Sequence, residues 1–450
     1  MNTQFHLISL GCAKNTVDSE SMATLLRREG FSATAKPAEA EVLIVNTCGF
    51  IEPAKQESLI ELRRLAAEKR PDQILIAAGC LTQRYGTEIV RQVPGIDGVL
   101  GTRRWMDIVQ VLQTLLAGHH PEPLYHLPQV HTVGTDEAGV PRIAVQGASA
   151  YLKIADGCRR PCAFCAIPSI KGTAVSRPQE RILEEAGWLQ ENGVREINLI
   201  AQDTTDYGHD MGIKDGLVKL LVDIVEAAPE VDWIRILYAY PGYVTDGLIE
   251  VMATYPHIVP YLDMPLQHAH PAVLRRMRRP ANMDWVYRTV DKLRQAMPEL
   301  ALRTTFIVGY PGETEAEFQT LLDFVAAIRF DRVGVFTFSF EPGTDSEPLG
   351  DPIPSAVKEE RRDSLMTLQQ QISLEKNQEL IGREVSVLTE GSGDGITIGR
   401  SYRDAPEIDG LVIIEGEIPA GKMVSVRING AMAYDLAGTV EIEEGESVGL

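Results

Sequence analysis

Residues 151–168, YLKIADGCRRPCAFCAIP, join a short apolar strand to three closely spaced cysteines. Cys158, Cys162 and Cys165 have the spacing C-x3-C-x2-C and follow the strand directly. The chain holds six cysteines in 450 residues, so half of them fall within eight positions. Chance grouping is a poor explanation of this density. The pattern indicates a site that needs three thiols at the end of a strand.

The strand in this stretch is the first of six that alternate with helical patterns. The six predicted strands read YLKIAD, EINLIAQD, WIRILYAY, YLDMPLQH, LRTTFIVGY and RVGVFTFSF. Thr314 and Glu317 have the spacing of a capping box at the start of the last helix between them. Because six units are too few to close an eight-stranded barrel, the sequence predicts an open (β/α)6 partial barrel. Its chemistry should lie at the carboxyl ends of the strands.

Residues 1–118 show a similar alternation of apolar strands and amphipathic helices. Three of these strands run into a cysteine: HLISLGC ends at Cys12, EVLIVNTC at Cys48 and QILIAAGC at Cys80. The alternation predicts a doubly wound parallel α/β domain, in which residues after neighbouring strands converge on one crevice. We therefore expect the three N-terminal cysteines to meet. Three separately buried structural thiols are the alternative.

The remaining segments complete a three-domain α/β organisation. Residues 119–147 are rich in proline, glycine and polar side chains and are predicted to be a linker before the domain at 148–370. A polar helix is expected near residues 355–380. Short strands with turn glycines then predict a small antiparallel β-barrel of the OB type at 371–450.

Composition and charge indicate in which cellular compartment the protein works and which kinds of partner it binds. Apolar residues make up 44% of the chain, the formal charge is −20 and the isoelectric point is near 5.0, which argues against binding through broad phosphate neutralisation. The N-terminus MNTQFHLISLGCAKN lacks the pattern of a signal peptide, and no apolar run approaches the ~18 residues of a membrane span. We expect a cytosolic protein without a membrane partner, whose reduced cysteines are metal ligands or catalytic groups.

Three protein thiols suit an iron–sulfur cluster better than zinc. Structural zinc takes four protein ligands, and no fourth cysteine or histidine lies near the C-x3-C-x2-C group. A cluster held by three thiolates leaves one iron open to a substrate or cofactor. A chance group of reduced thiols is the alternative for this triad. An electron carrier would supply four protein ligands to each cluster, which neither triad does.

The C-x3-C-x2-C spacing resembles the signature of the radical S-adenosylmethionine (SAM) superfamily. This resemblance implies a four-iron four-sulfur cluster whose open iron binds SAM. Over nearly its whole length the chain also resembles the methylthiotransferases, through SLGCAKNTVDSE, NTCGFIEPAKQES, GCLTQRYG and GCRRPCAFCAIPSIKGTAVSRP. That family implies a second four-iron four-sulfur cluster on the three N-terminal cysteines and a C-terminal TRAM module.

Alanine and lysine after Cys12, GFIEPAKQES after Cys48 and AQDTTDYG at 201–208 resemble the ribosomal branch of the family. This branch implies addition of a methylthio group to the β-carbon of an aspartate in the twelfth small-subunit ribosomal protein. It also implies two uses of SAM and an external electron donor. The alternative branch modifies a tRNA adenosine and would show glutamine and methionine after the first cysteine.

Charge in the C-terminal module bears on the choice between these substrates. Residues 371–450 contain fifteen Asp and Glu against six Lys and Arg, a formal charge of −9. A tRNA-binding module needs a basic surface. We therefore predict that this module docks a basic ribosomal protein and do not expect tRNA as a partner. An acidic module that serves only solubility is the alternative.

Further candidate residues follow the barrel strands. Gln202 and Asp203 end the second strand and are predicted to be catalytic, whereas Gln267 after the fourth strand and Gly309 and Gly312 after the fifth are predicted to bind SAM. The alternative is that all five only shape their loops.

Two other features near the barrel have alternative explanations. Phe164, between two of the cysteines, is predicted to shield a cluster, although packing alone would also explain it. The arginine run RRMRRP at 275–280 is predicted to be a solvated helix end, with a grip on a carboxylate or on RNA as the alternative.

Overall fold

The computed structural model describes residues 3–118, 121–134 and 136–440. Along the chain it forms a parallel α/β layer, an open barrel and a small closed barrel. No helix among these residues is long and apolar enough to cross a bilayer. Short 3₁₀ segments lie at Pro37–Glu39, Thr102–Asp107, Thr204–Asp206 and Glu347–Leu349.

The N-terminal layer is a six-stranded, wholly parallel sheet in the order β2-β1-β3-β4-β5-β6. Its strands are β1 (Gln4–Ser9), β2 (Ser32–Ala33), β3 (Val42–Thr47), β4 (Ile74–Gly79), β5 (Gly98–Gly101) and β6 (Leu124–His126). Its helices are α1 (Ala13–Arg28), α2 (Glu52–Glu68), α3 (Cys80–Gln92) and α4 (Ile108–Leu116). Every residue of β3 is buried, as expected for a central strand covered on both faces. The predicted doubly wound parallel domain is confirmed.

The segment predicted to be a linker contains two strands. Residues 119, 120 and 135 lie outside the described residues, but β6 pairs in parallel with β5 and so extends the first sheet. The strand β7 (Ile143–Gln146) pairs antiparallel with the first barrel strand. The segment predicted to be a linker thus also contributes an edge strand to each sheet, and both strands are too short for their periodicity to stand out among polar residues.

The central barrel is one open sheet of seven strands in the order β15-β14-β13-β12-β11-β8-β7. Six are parallel, and only the edge strand β7 runs antiparallel. Its further strands are β8 (Ser149–Lys153), β9 (Ala155–Asp156), β10 (Val175–Ser176), β11 (Glu196–Ile200), β12 (Trp233–Ile236), β13 (Ile258–Asp263), β14 (Ala301–Val308) and β15 (Arg332–Thr337), of which β9 and β10 pair separately. Its helices are α5 (Ile167–Lys171), α6 (Gln179–Glu191), α7 (Gly216–Ala227), α8 (Asp246–Thr254), α9 (Pro271–Arg276), α10 (Met283–Ala296) and α11 (Glu315–Ile328).

Side chains alternate between the two faces of the barrel strands. Leu152 packs outward in the core shared with the helices, whereas Tyr151 and Tyr261 pack with Ala13 and Val17 of α1. The first turns of α1 therefore lie against the inner face of the barrel. The predicted open (β/α)6 architecture is confirmed, as is the capping box that begins α11.

A long helix, α12 (Ser355–Gln378), leads to a closed five-stranded barrel in the order β16-β17-β18-β20-β19. Its strands are β16 (Glu384–Gly393), β17 (Ile396–Ser401), β18 (Val412–Glu415), β19 (Met423–Ala431) and β20 (Leu436–Val440). The pairing is antiparallel except between β18 and β20, which run parallel. The predicted small barrel is confirmed, whereas a wholly antiparallel one is not. Residues 441–450, the end of the predicted module, lie outside the described residues.

The small barrel covers the amino ends of the parallel strands. Glu196, the first residue of β11, is fully buried and binds Arg400 of β17 at 2.6 Å and Arg235 of β12 at 2.9 Å. The hydroxyl of Tyr261 donates to Asp409 at 2.6 Å across the same interface. The opposite, carboxyl ends of the strands stay available for a site.

Candidate active site

The barrel cysteines lie at the carboxyl mouth, directly after β9, and three donors approach their sulfurs. The backbone N–H of Arg160 is 3.4 Å from the Sγ of Cys158. The Nη1 of Arg279 is 3.5 Å from the Sγ of Cys162, and the hydroxyl of Tyr240 is 3.9 Å from it. Donors aimed at sulfur favour thiolate and sulfide over neutral thiol, which fits an anionic iron–sulfur cluster.

Two of these donor residues are held by stacking on a tyrosine. The guanidinium groups of Arg160 and Arg279 lie 4.5 and 4.3 Å from the ring centroid of Tyr240. Asp203 fixes Arg160 from the other side, with its Oδ2 2.6 Å from the Nε of Arg160. Burial raises the pKa of Asp203 and Arg160 opposes that rise. Asp203 thus contacts the triad through Arg160.

The charges of the barrel-triad cysteines influence one another's pKa values. Burial is the largest influence on the Cys165 thiol and, with the charges of Cys162 and Cys158, raises its pKa to about 12. Burial likewise raises the pKa of Cys158 to about 11, and Cys162 adds to the rise. The three sulfurs therefore lie within electrostatic range of one another.

The N-terminal cysteines follow β1, β3 and β4, and glycines let their loops pack closely. A Cβ on Gly11, whose φ is +94°, would lie 2.6 Å from the Cβ and 2.9 Å from the Sγ of Cys48. A Cβ on Gly79, at φ +105°, would lie 2.5 Å from both the Oδ1 of Asn46 and the carbonyl of Thr47. Both positions require glycine for backbone conformation and for space.

In the N-terminal triad as well, the cysteines influence one another's pKa values. Burial raises the pKa of the Cys80 thiol to about 12, Lys171 lowers it, and Cys48 and Cys12 add to the rise. Burial similarly raises the pKa of Cys48 to about 11, with Cys12 adding to it. Cys12 is exposed, Cys48 is half-buried and Cys80 is buried. The structure thus brings together three thiols that are up to 68 residues apart in sequence.

The segments that carry the two triads pack against each other. Cys80 packs with Ala166 and Ile170, and Ala166 directly follows Cys165 in the chain. The domains are also joined by ion pairing, since Arg84 of α3 binds Glu341 beyond β15 at 2.7 Å. The segments that carry the two triads are therefore in direct contact.

A cavity of about 630 Å³ opens beside the barrel triad, between the loop after Cys48 and the last two barrel strands. Aromatic side chains line much of it: Phe50, Phe164, Phe336, Phe338 and Phe340. Gln267 also lines it and has a φ of +74°, and its backbone bonds to Thr305 and Ile307 of β14. Polar and charged side chains line the rest, among them Glu341, Asp351 and Lys358, so the cavity offers both aromatic faces and hydrogen-bonding groups to a small cofactor.

The other predicted residues have different surroundings. The Oε1 of Gln202 is buried and has no hydrogen-bond partner among the described residues. Gly309 and Gly312 have φ values of +71° and +77° but do not line the cavity. The N–H of Gly309 donates to Glu313, and a Cβ there would overlap the Lys358 side chain.

Sequence reasoning missed two residues of the barrel triad's surroundings. The solvated helix end predicted for 275–280 is wrong for Arg279, which is 8% exposed and contacts Cys162. The sequence shows that Arg279 belongs to a basic run but not that it turns inward. Tyr240 ends the predicted strand WIRILYAY, so its place at a carboxyl strand end was a signal, but its contact with the sulfur of Cys162 depends on the path of the chain after β12.

The donor set fits clusters better than single ions. In the described ranges, no three His, Cys, Asp or Glu side chains are arranged to hold one metal ion. A structural zinc ion takes four protein ligands, whereas iron–sulfur clusters are held by cysteine thiolates and tuned by hydrogen bonds to their sulfurs. The barrel triad with its approaching N–H groups suits such a cluster.

Family comparisons match each part of this architecture. Residues 4–101 match a family described as uncharacterized protein family UPF0004, residues 152–325 match the radical SAM superfamily, and residues 381–440 match the TRAM domain. The fold and the three domains define a radical SAM methylthiotransferase.

Curated relatives are similar over nearly the whole chain. A protein of Chloroflexus aurantiacus named ribosomal protein uS12 methylthiotransferase RimO is 49% identical over 97% of this chain and 99% of its own length. A protein of the same name from Herpetosiphon aurantiacus is 46% identical over 97% of this chain and all of its own length. This chain therefore belongs to the RimO family of methylthiotransferases.

Solved structures share the fold at low sequence identity. The radical SAM methyltransferase TsrM of Kitasatospora setae, with cobalamin and a 4Fe–4S cluster bound, matches 88% of this chain and 81% of its own with a TM-score of 0.56 at 14% identity. The cobalamin-dependent enzyme OxsB, with aqua-cobalamin bound, matches 82% of this chain and 56% of its own with a TM-score of 0.51 at 11% identity.

Proposed function

We propose that this chain adds a methylthio group to the β-carbon of an aspartate in ribosomal protein uS12, in the cytoplasm. The observation that carries the proposal is the packing of Cys80, after a strand of the N-terminal sheet, on the segment that follows the barrel cysteines, in a chain whose relatives bear that function in their names. The proposed domains are 1–118 for the N-terminal triad, 148–370 for the radical SAM barrel and 371–450 for the TRAM module, joined by 119–147.

We assign one four-iron four-sulfur cluster to each triad. Cys158, Cys162 and Cys165 would hold the first, and the three N-terminal cysteines the second. When bound, these groups together with SAM supply hydrogen abstraction from an unactivated carbon and the sulfur that replaces the hydrogen.

The chain's own residues position the reactants and exclude water. Arg160, Arg279 and Tyr240 direct donors at the barrel sulfurs and so offset negative charge there. Phe164 and the neighbouring cavity aromatics keep solvent away from a reactive intermediate. Packing of Cys80 on the segment after Cys165 sets the short separation that transfer between two sites requires.

The predictions for SAM and catalysis are refined by the geometry. Gln267 lines the cavity and is our candidate SAM contact, whereas Gly309 and Gly312 would act by shaping the loop that holds Glu313. Gln202, with its unpaired carbonyl oxygen, is the better candidate for a direct ligand contact. Asp203 would act as a positioning residue through Arg160.

Charge in the TRAM module supports a basic protein substrate over tRNA. Three of its six basic side chains, Lys376, Arg400 and Arg403, pair with Glu196 or Asp331 of the barrel domain. Exposed acidic residues such as Asp394, Glu415 and Glu417 remain on the outer surface. That surface repels a phosphate backbone and attracts a basic protein.

The substrate is tested with the reconstituted protein, SAM and a chemical reductant, offered either uS12 or unmodified tRNA. We expect a methylthio group on one aspartate of uS12 and none on tRNA nucleosides. Methylthiolation of tRNA and not of uS12 would contradict the proposal. The charge reversal Glu415→Lys with Glu417→Lys should weaken uS12 binding, and unchanged binding would remove the docking role of this surface.

Iron content tests the assignment of two clusters. The wild-type protein should bind roughly eight irons, and Cys48→Ala and Cys158→Ala should each bind roughly four. Cys48→Ala should still cleave SAM, whereas Cys158→Ala should not. A full iron complement in either variant would contradict the assignment.

A further inference from the structure

Lys14 is a buried cation at the inner face of the barrel. It is the second residue of α1, it is 8% exposed, and its Nζ lies 3.0 Å from the ring centroid of Tyr238. Its neighbours Ala13 and Val17 pack with Tyr151 and other inner-face side chains. Lys14 therefore reaches from the N-terminal domain into the barrel.

The contact between Lys14 and Tyr238 joins the two segments that carry or adjoin the triads. Lys14 is two residues beyond Cys12. Tyr238 is two residues before Tyr240, whose hydroxyl approaches the Sγ of Cys162. A substrate carbon that reacts at both triads would lie close to these two segments.

No protein carboxylate among the described residues pairs with the Lys14 ammonium group. Within residues 3–118, 121–134 and 136–440, no ion pair includes Lys14. Its ammonium group instead lies over the face of the Tyr238 ring. Two carboxylates beside the Tyr238–Tyr240 segment already have cations. Asp263, which accepts from the N–H of Tyr238, is bound by Arg303 at 2.9 Å, and Asp203 is bound by Arg160 at 2.6 Å. A buried charge without a partner is costly, and a ring face only partly replaces the lost water.

We propose that Lys14 binds the side-chain carboxylate of the substrate aspartate and so selects aspartate over its uncharged analogue. The inference rests on the proposed function, because it takes the substrate to be an aspartate. An anionic side chain would complete the ion pair that the barrel leaves unmade, and it would hold the β-carbon between the triads. A neutral base such as adenine offers no such partner.

The test compares binding of uS12 with binding of its Asp→Asn variant at the modified position, using the cluster-loaded protein. Wild type should prefer aspartate by a factor on the order of 30, because the amide leaves the ammonium unpaired. Lys14→Met should bind the two forms equally, and Lys14→Arg should retain the preference. Lys36→Met, which removes an exposed lysine paired with Glu39, is the matched control and should behave as wild type.

Each outcome decides one question. If Lys14→Met still prefers aspartate as strongly as wild type, Lys14 does not bind the substrate carboxylate. The same conclusion holds if the variant loses affinity for SAM but keeps its preference for aspartate. If wild type binds and modifies neither form, the proposed function itself fails. Should Lys14→Met lose its iron, Lys14→Gln gives the same comparison with a side chain that can still donate hydrogen bonds.

Discussion

At the scale of single residues, Arg279 illustrates how the protein tunes sulfur chemistry. Its guanidinium stacks on Tyr240 and donates toward Cys162 from a site that is almost fully buried. A hydrogen bond and a positive charge near cluster sulfur stabilise the reduced, more negative state. Loss of either should make reduction harder.

We predict that Arg279→Met lowers the reduction potential of the barrel cluster by on the order of 50–100 mV, because one charged hydrogen bond is worth about 1.5–3 kcal/mol. A redox titration followed by electron paramagnetic resonance measures the shift. Arg278→Met is the control, since Arg278 is exposed and binds Asp345 at the surface. An unchanged potential in Arg279→Met would show that its contact with sulfur is only structural.

The cysteines could be predicted from sequence because each follows an apolar strand, so position along the chain implies position in space. From the sequence, Lys14 was only part of the motif after Cys12 that resembles the ribosomal branch of the family. Its burial against Tyr238 depends on how α1 docks into the barrel, which residue type and spacing do not encode.

At the scale of elements, the turns that carry the N-terminal triad depend on glycine. Gly79 combines a left-handed φ of +105° with direct contact to the β3 backbone. Gly30 has a comparable φ of +88° but nothing within 4 Å of its would-be Cβ. A comparison of alanine substitutions at Gly79 and Gly30 therefore distinguishes the cost of backbone strain from the cost of steric overlap.

We predict that Gly79→Ala costs more than ~2 kcal/mol of stability and roughly half of the bound iron, because the overlap with Asn46 and Thr47 displaces Cys80. Gly30→Ala should cost about 1 kcal/mol and leave the iron content unchanged. Thermal unfolding and iron analysis measure both effects. Equal losses in the two variants would mean that strain alone, and not close packing, makes Gly79 necessary.

The βα rhythm predicted nearly every large element because parallel strands are continuous apolar runs. It missed β6 and β7, whose partners are set by the sheets that they join. It also gave no sign that β18 and β20 run parallel, because strand direction inside a small barrel is decided by closure and not by composition.

At the scale of the whole molecule, the TRAM module is joined to the barrel domain through buried ion pairs. Burial raises the pKa of Glu196, but Arg235 and Arg400 outweigh it and lower the pKa from 4.5 to about 2. The stabilisation from ionised Glu196 is therefore complete above pH of about 4.5 and is lost as the pH falls toward 2.

We predict that the melting temperature of the wild-type protein falls more steeply between pH 5 and 3.5 (~1.5 pH units) than that of Glu196→Gln. At pH 7 (~neutral) the variant should be less stable by about 3 kcal/mol, since two buried arginines lose their carboxylate. Glu415→Gln, at an exposed position, is the control. Parallel pH profiles for wild type and Glu196→Gln would assign the acid sensitivity to other groups.

The assembly of all three domains leads to one central claim, which is methylthiolation of uS12. The most direct measurement is the intact mass of uS12 from cells with and without this gene, followed by fragmentation at the modified residue. The account predicts one methylthio group on a single aspartate, present only with the gene. An unchanged uS12 mass, together with loss of methylthio groups from tRNA nucleosides when the gene is absent, would contradict it.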